Sequence, residues 1–182
     1  MGEFVTAQAA RKRFDALADA VDAAYAEMRG LSSDAVGNEF RMALAERLEA
    51  HERTNRGLMY RFFGEIADPP DETAMVPALV NSVAARLRIA PAEVKRRMKT
   101  AARLVPRRSL SGPPLAPELP QVADALAAGV IGEDHLRVIT RAIDTLPSAV
   151  SGTDREDVEA SLVREATKNL SLIHISEPTR PY

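Results

Sequence analysis

The sequence contains no cysteine and no tryptophan, and only 4% of its 182 residues are aromatic. Without cysteine, disulfide bonds and thiolate metal sites are excluded, which fits a reducing cytoplasm. Strand-forming runs of Val, Ile, Tyr, Phe and Thr are also missing, whereas alanine is plentiful, so close-packed helices are favoured over a sheet. No apolar run reaches the length of a membrane span, and residues 1–14 lack the apolar core of a signal peptide. We therefore expect an all-α, cytoplasmic protein with no membrane partner.

Sequence motifs of catalytic chemistry are missing as well. The three histidines, His51, His135 and His174, do not have metal-ligand spacing, and neither a Gly-rich phosphate loop nor a GxSxG motif occurs. We therefore assign no catalytic residue, metal ligand, cofactor or small-molecule ligand to this fragment. His135 lies in the first turn of a predicted helix and is interpreted as a packing or capping residue. The acidic residues between 154 and 159 surround another predicted helix start, where they complement the helix dipole.

Apolar residues recur at helical spacing in every segment between proline and glycine stops. This pattern predicts an irregular bundle of six to eight helices in one domain covering residues 1–169. Two long helices are expected between residues 6 and 66, the second starting near residue 34. Gly57 leaves open whether the second helix is broken or bent.

One apolar stripe of the first long helix has coiled-coil-like spacing. The residues of this N-terminal seam step by three and four positions: Phe14, Leu17, Val21, Ala24 and Met28. We expect the N-terminal seam to be buried, either against the second long helix or against a second copy of the chain. A homodimer through the long N-terminal helices is therefore a candidate assembly.

The C-terminal half is organised around a proline-rich connector, residues 106–120. Five prolines and one glycine in this segment predict an extended chain without regular structure. Short helices are expected on its C-terminal side at residues 118–128 and 133–146. A last helix is predicted from Asp154 to residue 168.

Positive charge is concentrated in residues 86–108, which we call the basic stretch. It holds nine basic residues and one acid, inside a chain with a formal net charge of −2. A helix predicted at 72–87, a three-residue turn and a second helix beginning near Pro91 and ending near residue 105 give a helix-turn-helix-like outline. Such a local excess of charge favours a surface that faces a polyanion.

We predict that the second helix of this pair faces duplex DNA. The predicted contact residues are Arg88, Lys95, Arg96, Lys99, Arg103, Arg107 and Arg108. Lys95, Lys99 and Arg103 recur every four residues, away from an apolar stripe on the same helix. That stripe consists of Val94, Met98, Ala101 and Val105. No aromatic residue lies in the basic stretch, which argues against stacking of single-stranded bases. A solvated basic face on an ordinary helix pair explains the same pattern, so both interpretations stay open.

Several motifs occur in an order that resembles one family. An arginine-rich helix is followed by LVPRRSLSGPPL, LPQVADALAAG, GVIGEDHLRVI and an LP pair before an acidic helix. The order resembles the domain of unknown function 222, also called the 13E12 repeat family, which is abundant in actinobacteria. The resemblance covers roughly residues 6–169 and is strongest over 87–147. Residues matching the family pattern include Arg107, Arg108, Gly112, Gly129, Ile131 and His135.

Relatives in this family typically carry a C-terminal HNH nuclease domain. The resemblance therefore implies a DNA-associated accessory domain of an HNH-endonuclease-type protein, with the nuclease missing from this fragment. The alternative is a helical protein-interaction or oligomerisation module that does not bind nucleic acid. Salt-dependent binding to duplex DNA would favour the first, and self-association without DNA binding the second.

The end of the sequence departs from the family pattern. The His-Asn-His metal site of the nuclease does not occur, and the ending LSLIHISEPTRPY breaks the preceding helical period. Residues 170–180 look like the translation of a transposon-type sequencing-library adapter. We interpret residues 170–182 as an artefactual tail on a truncated reading frame, and expect that its deletion leaves the melting temperature unchanged.

Overall fold

The protein is described by a computed structural model that covers residues 6–68, 78–109 and 113–168. Within these ranges the chain forms seven α-helices and no β-strand, which confirms the predicted all-α class. The helices are α1 (Ala7–Gly30), α2 (Gly37–Ala67), α3 (Leu79–Leu87), α4 (Pro91–Leu104), α5 (Pro120–Ala127), α6 (Glu133–Asp144) and α7 (Gly152–Lys168). No helix in the described ranges has the length and apolar character needed to cross a membrane. The chain divides into two compact units, Met1–Ala45 and Glu46–Tyr182.

The first unit contains α1 and the beginning of α2. Thr6 caps α1, because its hydroxyl oxygen accepts a hydrogen bond from the backbone N–H of Ala9 at 3.2 Å. No residue of α1 is buried. Among the residues of the N-terminal seam, Phe14 and Val21 are 52% and 53% exposed.

The core of the second unit is built by residues from α2 through α7. It consists of Tyr60, Phe63, Ala84, Val94, Ala101, Leu104, Leu119, Val122, Ala125, Leu126, Ile131, Leu136, Ile139, Ile143 and Ala166. Val94 and Ala101 of α4 are fully buried and Met98 packs against the same core, which confirms the apolar stripe predicted for this helix. The stripe fixes which side of α4 remains available to solvent.

α2 runs through Gly57 without interruption, so the possible break at this residue does not occur. The reason for a glycine here is the close approach of α5. A Cβ atom at Gly57 would lie 2.6 Å from the backbone carbonyl oxygen of Leu126. The absence of a side chain therefore allows two helices to pack, and has no effect on the continuity of α2.

α3 and α4 form the predicted helix pair, joined by residues 88–90. Arg88 ends α3 in the left-handed region with φ of 55°. Ala90 precedes α4, and Pro91 occupies its first turn, where no backbone N–H is needed. The first part of the helix predicted at 72–87 lies outside the described residues, and α3 itself begins only at Leu79.

The C-terminal helices are slightly displaced from their predicted bounds. α5 begins at Pro120 instead of residue 118, α6 ends at Asp144 instead of residue 146, and α7 begins at Gly152, before Asp154. Residues 106–109 and 113–119 of the proline-rich connector form no helix, and Pro120 begins α5. An isolated antiparallel bridge joins Arg107 to Leu115.

Glu159 of α7 caps the N-terminus of α5. Its carboxylate accepts a hydrogen bond from the backbone N–H of Val122 at 2.8 Å, and the residue is only 1% exposed. Burial raises the pKa of Glu159, and backbone hydrogen bonds from Val122 and Gln121 act in the opposite direction. The sequence associated this acid with the start of its own helix, whereas in the structure it complements the dipole of another helix.

Candidate nucleic-acid interface

The solvent-facing side of α4 presents two lysines one turn apart. Lys95 and Lys99 are exposed, and the small residues Ala92 and Ala102 are exposed beside them. Arg88 is exposed in the turn immediately before the helix. Among the described residues, none of these three basic side chains has an ion pair with an acid. All three side chains therefore lie at the surface of the described chain.

Arg96 is part of a charged network within the protein. Its guanidinium donates hydrogen bonds of 2.8 Å to both carboxylate oxygens of Glu93 and to Glu133 at the start of α6. The hydroxyl of Tyr60 on α2 donates to the same Glu133 carboxylate at 2.8 Å. The network thus joins α2, α4 and α6. Half of the Arg96 side chain stays exposed, so the residue combines a structural role with a position at the surface.

The ionisation of these groups reflects the network. Hydrogen bonds from Arg96 and Arg97 lower the pKa of Glu93 to about 2. Burial, together with the hydrogen bond to Glu133, raises the pKa of Tyr60. The lowered pKa keeps the Glu93 carboxylate charged beside the two arginines. The raised pKa keeps the Tyr60 phenol protonated, so that it can donate to Glu133.

Arg103 differs from the two lysines with which it shares a four-residue spacing. Its side chain is 16% exposed, and it forms ion pairs with Glu118 at 2.8 Å and with Asp144 at 3.0 Å. The first acid belongs to the proline-rich connector and the second to the end of α6. Arg103 therefore links α4 to the connector and to α6. Because its charge is paired with these acids, less of it is available at the surface than the spacing suggested.

Arg107 and Arg108 lie in the connector, at a cleft of about 740 Å³ between α2, the connector and α5. Arg107 donates from Nε to the carbonyl oxygen of Ala116 at 3.0 Å. Arg108 forms an ion pair with Asp68 at 2.9 Å, and more than half of its side chain is exposed. Both arginines hold the connector in place and still reach the surface.

The structure therefore separates the seven predicted contact residues into two groups. Arg88, Lys95 and Lys99 have no ion pair with a described acid, whereas the remaining four arginines are engaged within the protein. Their acidic partners outside the basic stretch are Asp68, Glu118, Glu133 and Asp144. No sequence signal identified these partners, because they become neighbours only when the helices pack.

One exposed basic residue was left out of the predicted set. Arg86 lies in the last turn of α3 and is exposed, two residues before Arg88. The only feature of the sequence that pointed to Arg86 was its position within the basic stretch.

The described residues that match the family pattern C-terminal to the connector have structural roles. Gly129 has a positive φ of 68°, and a side chain there would overlap the hydroxyl of Thr54. Ile131 is completely buried. His135 accepts a hydrogen bond at Nδ1 from the backbone N–H of Gly132 at 3.3 Å, and burial lowers its pKa. The capping interpretation of His135 is thereby confirmed. Gly112 lies outside the described residues.

A second, acidic cleft of about 480 Å³ lies beside His135. Its lining residues are Glu46, Glu49, Glu52, Arg53, Arg56, Gly132, Glu133, Asp134 and His135. In the part of the chain that the structure describes, no group of three or more His, Asp or Glu side chains is arranged to hold a metal ion.

Comparison with known proteins shows where this architecture belongs. The uncharacterized protein Rv1128c of Mycobacterium tuberculosis is 35% identical over 145 residues, which are 80% of this chain and 32% of the relative. The uncharacterized protein Mb1179c of Mycobacterium bovis is 32% identical over 157 residues, or 86% of this chain and 35% of the relative. The chain thus spans about a third of the length of these curated relatives. No solved structure matches it. The profile described as "Domain of unknown function (DUF222)" matches residues 42–171, and the chain belongs to that family.

Proposed function

We propose that this domain binds duplex DNA through the exposed face of α4, with Lys95 and Lys99 as phosphate contacts and Arg88 next to them. The observation that carries the proposal is the difference between these residues and the neighbouring arginines. The two lysines are exposed one turn apart and have no described acidic partner, whereas Arg96 and Arg103 are already paired. An unpaired surface amine binds phosphate without first breaking an internal ion pair, and gains from counterion release.

The surroundings of the lysines support contact with a long polyanion. Exposed Ala92 and Ala102 flank them, so small side chains leave room for a DNA backbone to approach α4. On the opposite side, fully buried Val94 and Ala101 anchor the helix to the core and fix the direction of the lysines. Arg96, Arg103, Arg107 and Arg108 remain in the proposed interface as residues that hold it in shape. Contacts of this kind position a protein on DNA without reading its sequence.

The test is the salt dependence of binding to a short DNA duplex. If Lys99 contacts a phosphate, Lys99→Ala should lower the slope of log affinity against log salt by about 0.9, and the double variant Lys95→Ala/Lys99→Ala by about twice that amount. The loss of affinity should be the same for unrelated duplex sequences. Stability should hardly change, because both side chains are solvent-facing.

Two control variants separate charge from fold. Lys168→Ala removes an exposed lysine from the end of α7 and should leave the slope unchanged. Met98→Ala should destabilise the fold by roughly 2–5 kcal/mol without changing the slope, since Met98 packs against the core. A double lysine variant that is folded and has the wild-type slope would rule out α4 as the interface.

A second candidate function is a protein-interaction or oligomerisation module. The observation that favours it is the exposed N-terminal seam, because a helix with an apolar stripe gains most of its stability by packing that stripe. Concentration-dependent self-association without any DNA binding would favour this function alone. The two functions use different helices and can coexist.

For the full-length protein we propose the context that the resemblance implies, an HNH nuclease domain in a part of the protein beyond this chain. The basis is the family resemblance, together with the fact that this chain spans only about a third of the length of its relatives. The uninterrupted genomic reading frame beyond codon 169 tests it. A His-Asn-His metal motif there would support the proposal, and a reading frame without one would contradict it.

A further inference from the structure

Arg103 is the next basic residue on α4 after the two exposed lysines. Lys95, Lys99 and Arg103 follow each other at four-residue intervals, so neighbouring members are roughly 6 Å apart along the helix axis. Ala102 is exposed beside Arg103, just as Ala92 is exposed near Lys95. A phosphate backbone that contacts both lysines would therefore reach Arg103 next if it continued toward the C-terminal end of α4.

Two carboxylates enclose the guanidinium of Arg103. Its Nε and Nη2 atoms donate to Oε1 of Glu118 at 2.9 and 2.8 Å, and its Nη1 atom lies 3.0 Å from Oδ1 of Asp144. The Arg103 side chain is 16% exposed, whereas the side chains of Glu118 and Asp144 are 50% and 56% exposed. One arginine and two carboxylates give the group a net charge of −1. Its negative charges face solvent, and its positive charge is covered.

The two acids have Arg103 as their shared partner. Among the described residues, neither Glu118 nor Asp144 forms another ion pair. Asp144 is the last residue of α6, where the negative end of the helix dipole disfavours a carboxylate. The requirements of α6 itself therefore do not explain an acid at this position, whereas the ion pair with Arg103 does.

The backbone of the connector beside Arg103 is held independently of the Glu118 side chain. The N–H of Leu119 donates to the carbonyl oxygen of Arg103 at 3.0 Å, and Leu119 is buried in the core. Arg108 forms a separate ion pair with Asp68. Loss of the Glu118 carboxylate should therefore uncover the Arg103 guanidinium while the connector stays in place.

We infer that Glu118 and Asp144 mask Arg103, a third phosphate contact of α4, and thereby limit the affinity of this helix for DNA. The inference rests on the proposed function, because masking matters only if α4 binds a polyanion. In the masked state the end of α4 repels a phosphate, since the outward charges are negative. Removal of both acids changes the charge of this position from −1 to +1 and extends the row of lysines by one guanidinium.

The test is the salt dependence of binding to a short DNA duplex by the double variant Glu118→Ala/Asp144→Ala. One additional phosphate contact should steepen the slope of log affinity against log salt by about 0.9 and tighten binding about fivefold to tenfold near 0.1 M salt. The gain should be the same for unrelated duplex sequences. Ion pairs at exposed acids contribute little to stability, so the double variant should remain folded, which thermal unfolding checks.

Arg103→Ala, made in two backgrounds, separates unmasking from a general loss of negative charge. In the Glu118→Ala/Asp144→Ala background it should return the slope to the wild-type value. In the wild-type background it should leave the slope unchanged, because a masked arginine makes no contact. If the double alanine variant is unstable, Glu118→Gln/Asp144→Asn removes the same charges at nearly constant size and should shift the slope in the same direction.

The outcomes distinguish failure of the masking from failure of the proposed function. A lower slope for Lys99→Ala, combined with a wild-type slope for folded variants without the two acidic charges, overturns the masking and leaves the DNA-binding function standing. Arg103→Ala effects that are equal in both backgrounds also overturn the masking. A wild-type chain that does not bind duplex DNA, together with a double variant that does not bind either, overturns both.

Discussion

Glu93 illustrates at the scale of single residues how the basic stretch is held. It is the only acid among nine basic side chains, and it accepts hydrogen bonds from both Arg96 and Arg97. Arg97 in turn lies over the ring of Phe63, 5.8 Å from its centroid. One carboxylate therefore fixes two guanidinium groups and directs one of them onto the core.

The lowered pKa of Glu93 predicts a defined loss of stability in acid. Because the pKa is about 2 in the folded protein and near 4.5 in the unfolded chain, the stabilisation is fully present above about pH 4.5 and is lost as the pH falls toward 2. We expect Glu93→Gln to be less stable than wild type by about 1–3 kcal/mol at neutral pH. Denaturant unfolding at several pH values should show this difference shrinking below about pH 4.5. A difference that stays constant down to pH 2 would contradict the assignment.

Glu159 predicts the opposite pH trend, because burial raises its pKa above the unfolded value of 4.5. Its contribution to stability is present below about pH 4.5 and is lost as the pH rises through the raised pKa. Glu159→Gln keeps an acceptor for the N–H of Val122 and should lose the pH trend while remaining folded. Glu159→Ala leaves the buried N–H without its partner and should lower the free energy of unfolding by about 1–3 kcal/mol. Equal stability of the Gln and Ala variants would show that the cap is unimportant.

At the scale of secondary-structure elements, α4 has three distinct sides. Val94 and Ala101 face the core, Arg96 and Arg103 reach sideways to acids of other segments, and Lys95 and Lys99 point to solvent. The division between arginine and lysine has a physical basis. The guanidinium forms several hydrogen bonds in a fixed plane and suits ion pairs between elements, whereas the ammonium group is strongly hydrated and remains at the surface.

Two glycines in the long helices, Gly57 in α2 and Gly30 in α1, allow a prediction about packing between helices. Gly57→Ala would bring a Cβ atom to 2.6 Å from backbone atoms of α5, which cannot move independently, so we expect a destabilisation of about 1–3 kcal/mol. Gly30→Ala is the matched control. Nothing lies within 4 Å of a Cβ at this end of α1, and alanine is the better helix former, so stability should be unchanged or rise slightly. Thermal unfolding compares the two variants, and similar effects at both positions would contradict the contact.

At the scale of the whole molecule, the buried residues of the described chain all lie in the second unit. Deletion of residues 1–36 should therefore change the melting temperature by less than about 2 °C at low protein concentration, because α1 contributes no buried side chain. If α1 mediates the proposed self-association, the full chain should gain stability relative to the deletion variant at high concentration, because a dimer stabilises the folded state by mass action. A large loss of stability at low concentration would mean that α1 packs onto its own chain.

The proposed functions also separate at this scale. The proposed DNA binding uses α4 in the second unit, and the proposed self-association uses α1 in the first. The deletion of residues 1–36 should therefore retain the salt slope of DNA binding and lose dimerisation.

The all-α class, the turn between α3 and α4 and the apolar stripe of α4 were determined by the sequence itself. Helical period, proline stops and caps act between residues a few positions apart, so they are visible before any folding. The tertiary structure decided which positive charges remain open, because Arg96, Arg103 and Arg108 meet acids that lie 15 to 41 positions away in the chain. It also decided that Glu159 caps the N-terminus of α5 and that Gly57 allows α2 and α5 to approach closely. Both roles depend on which segments pack together. Local pattern selects the elements, and the electrostatic and steric environment of each side chain follows from their assembly.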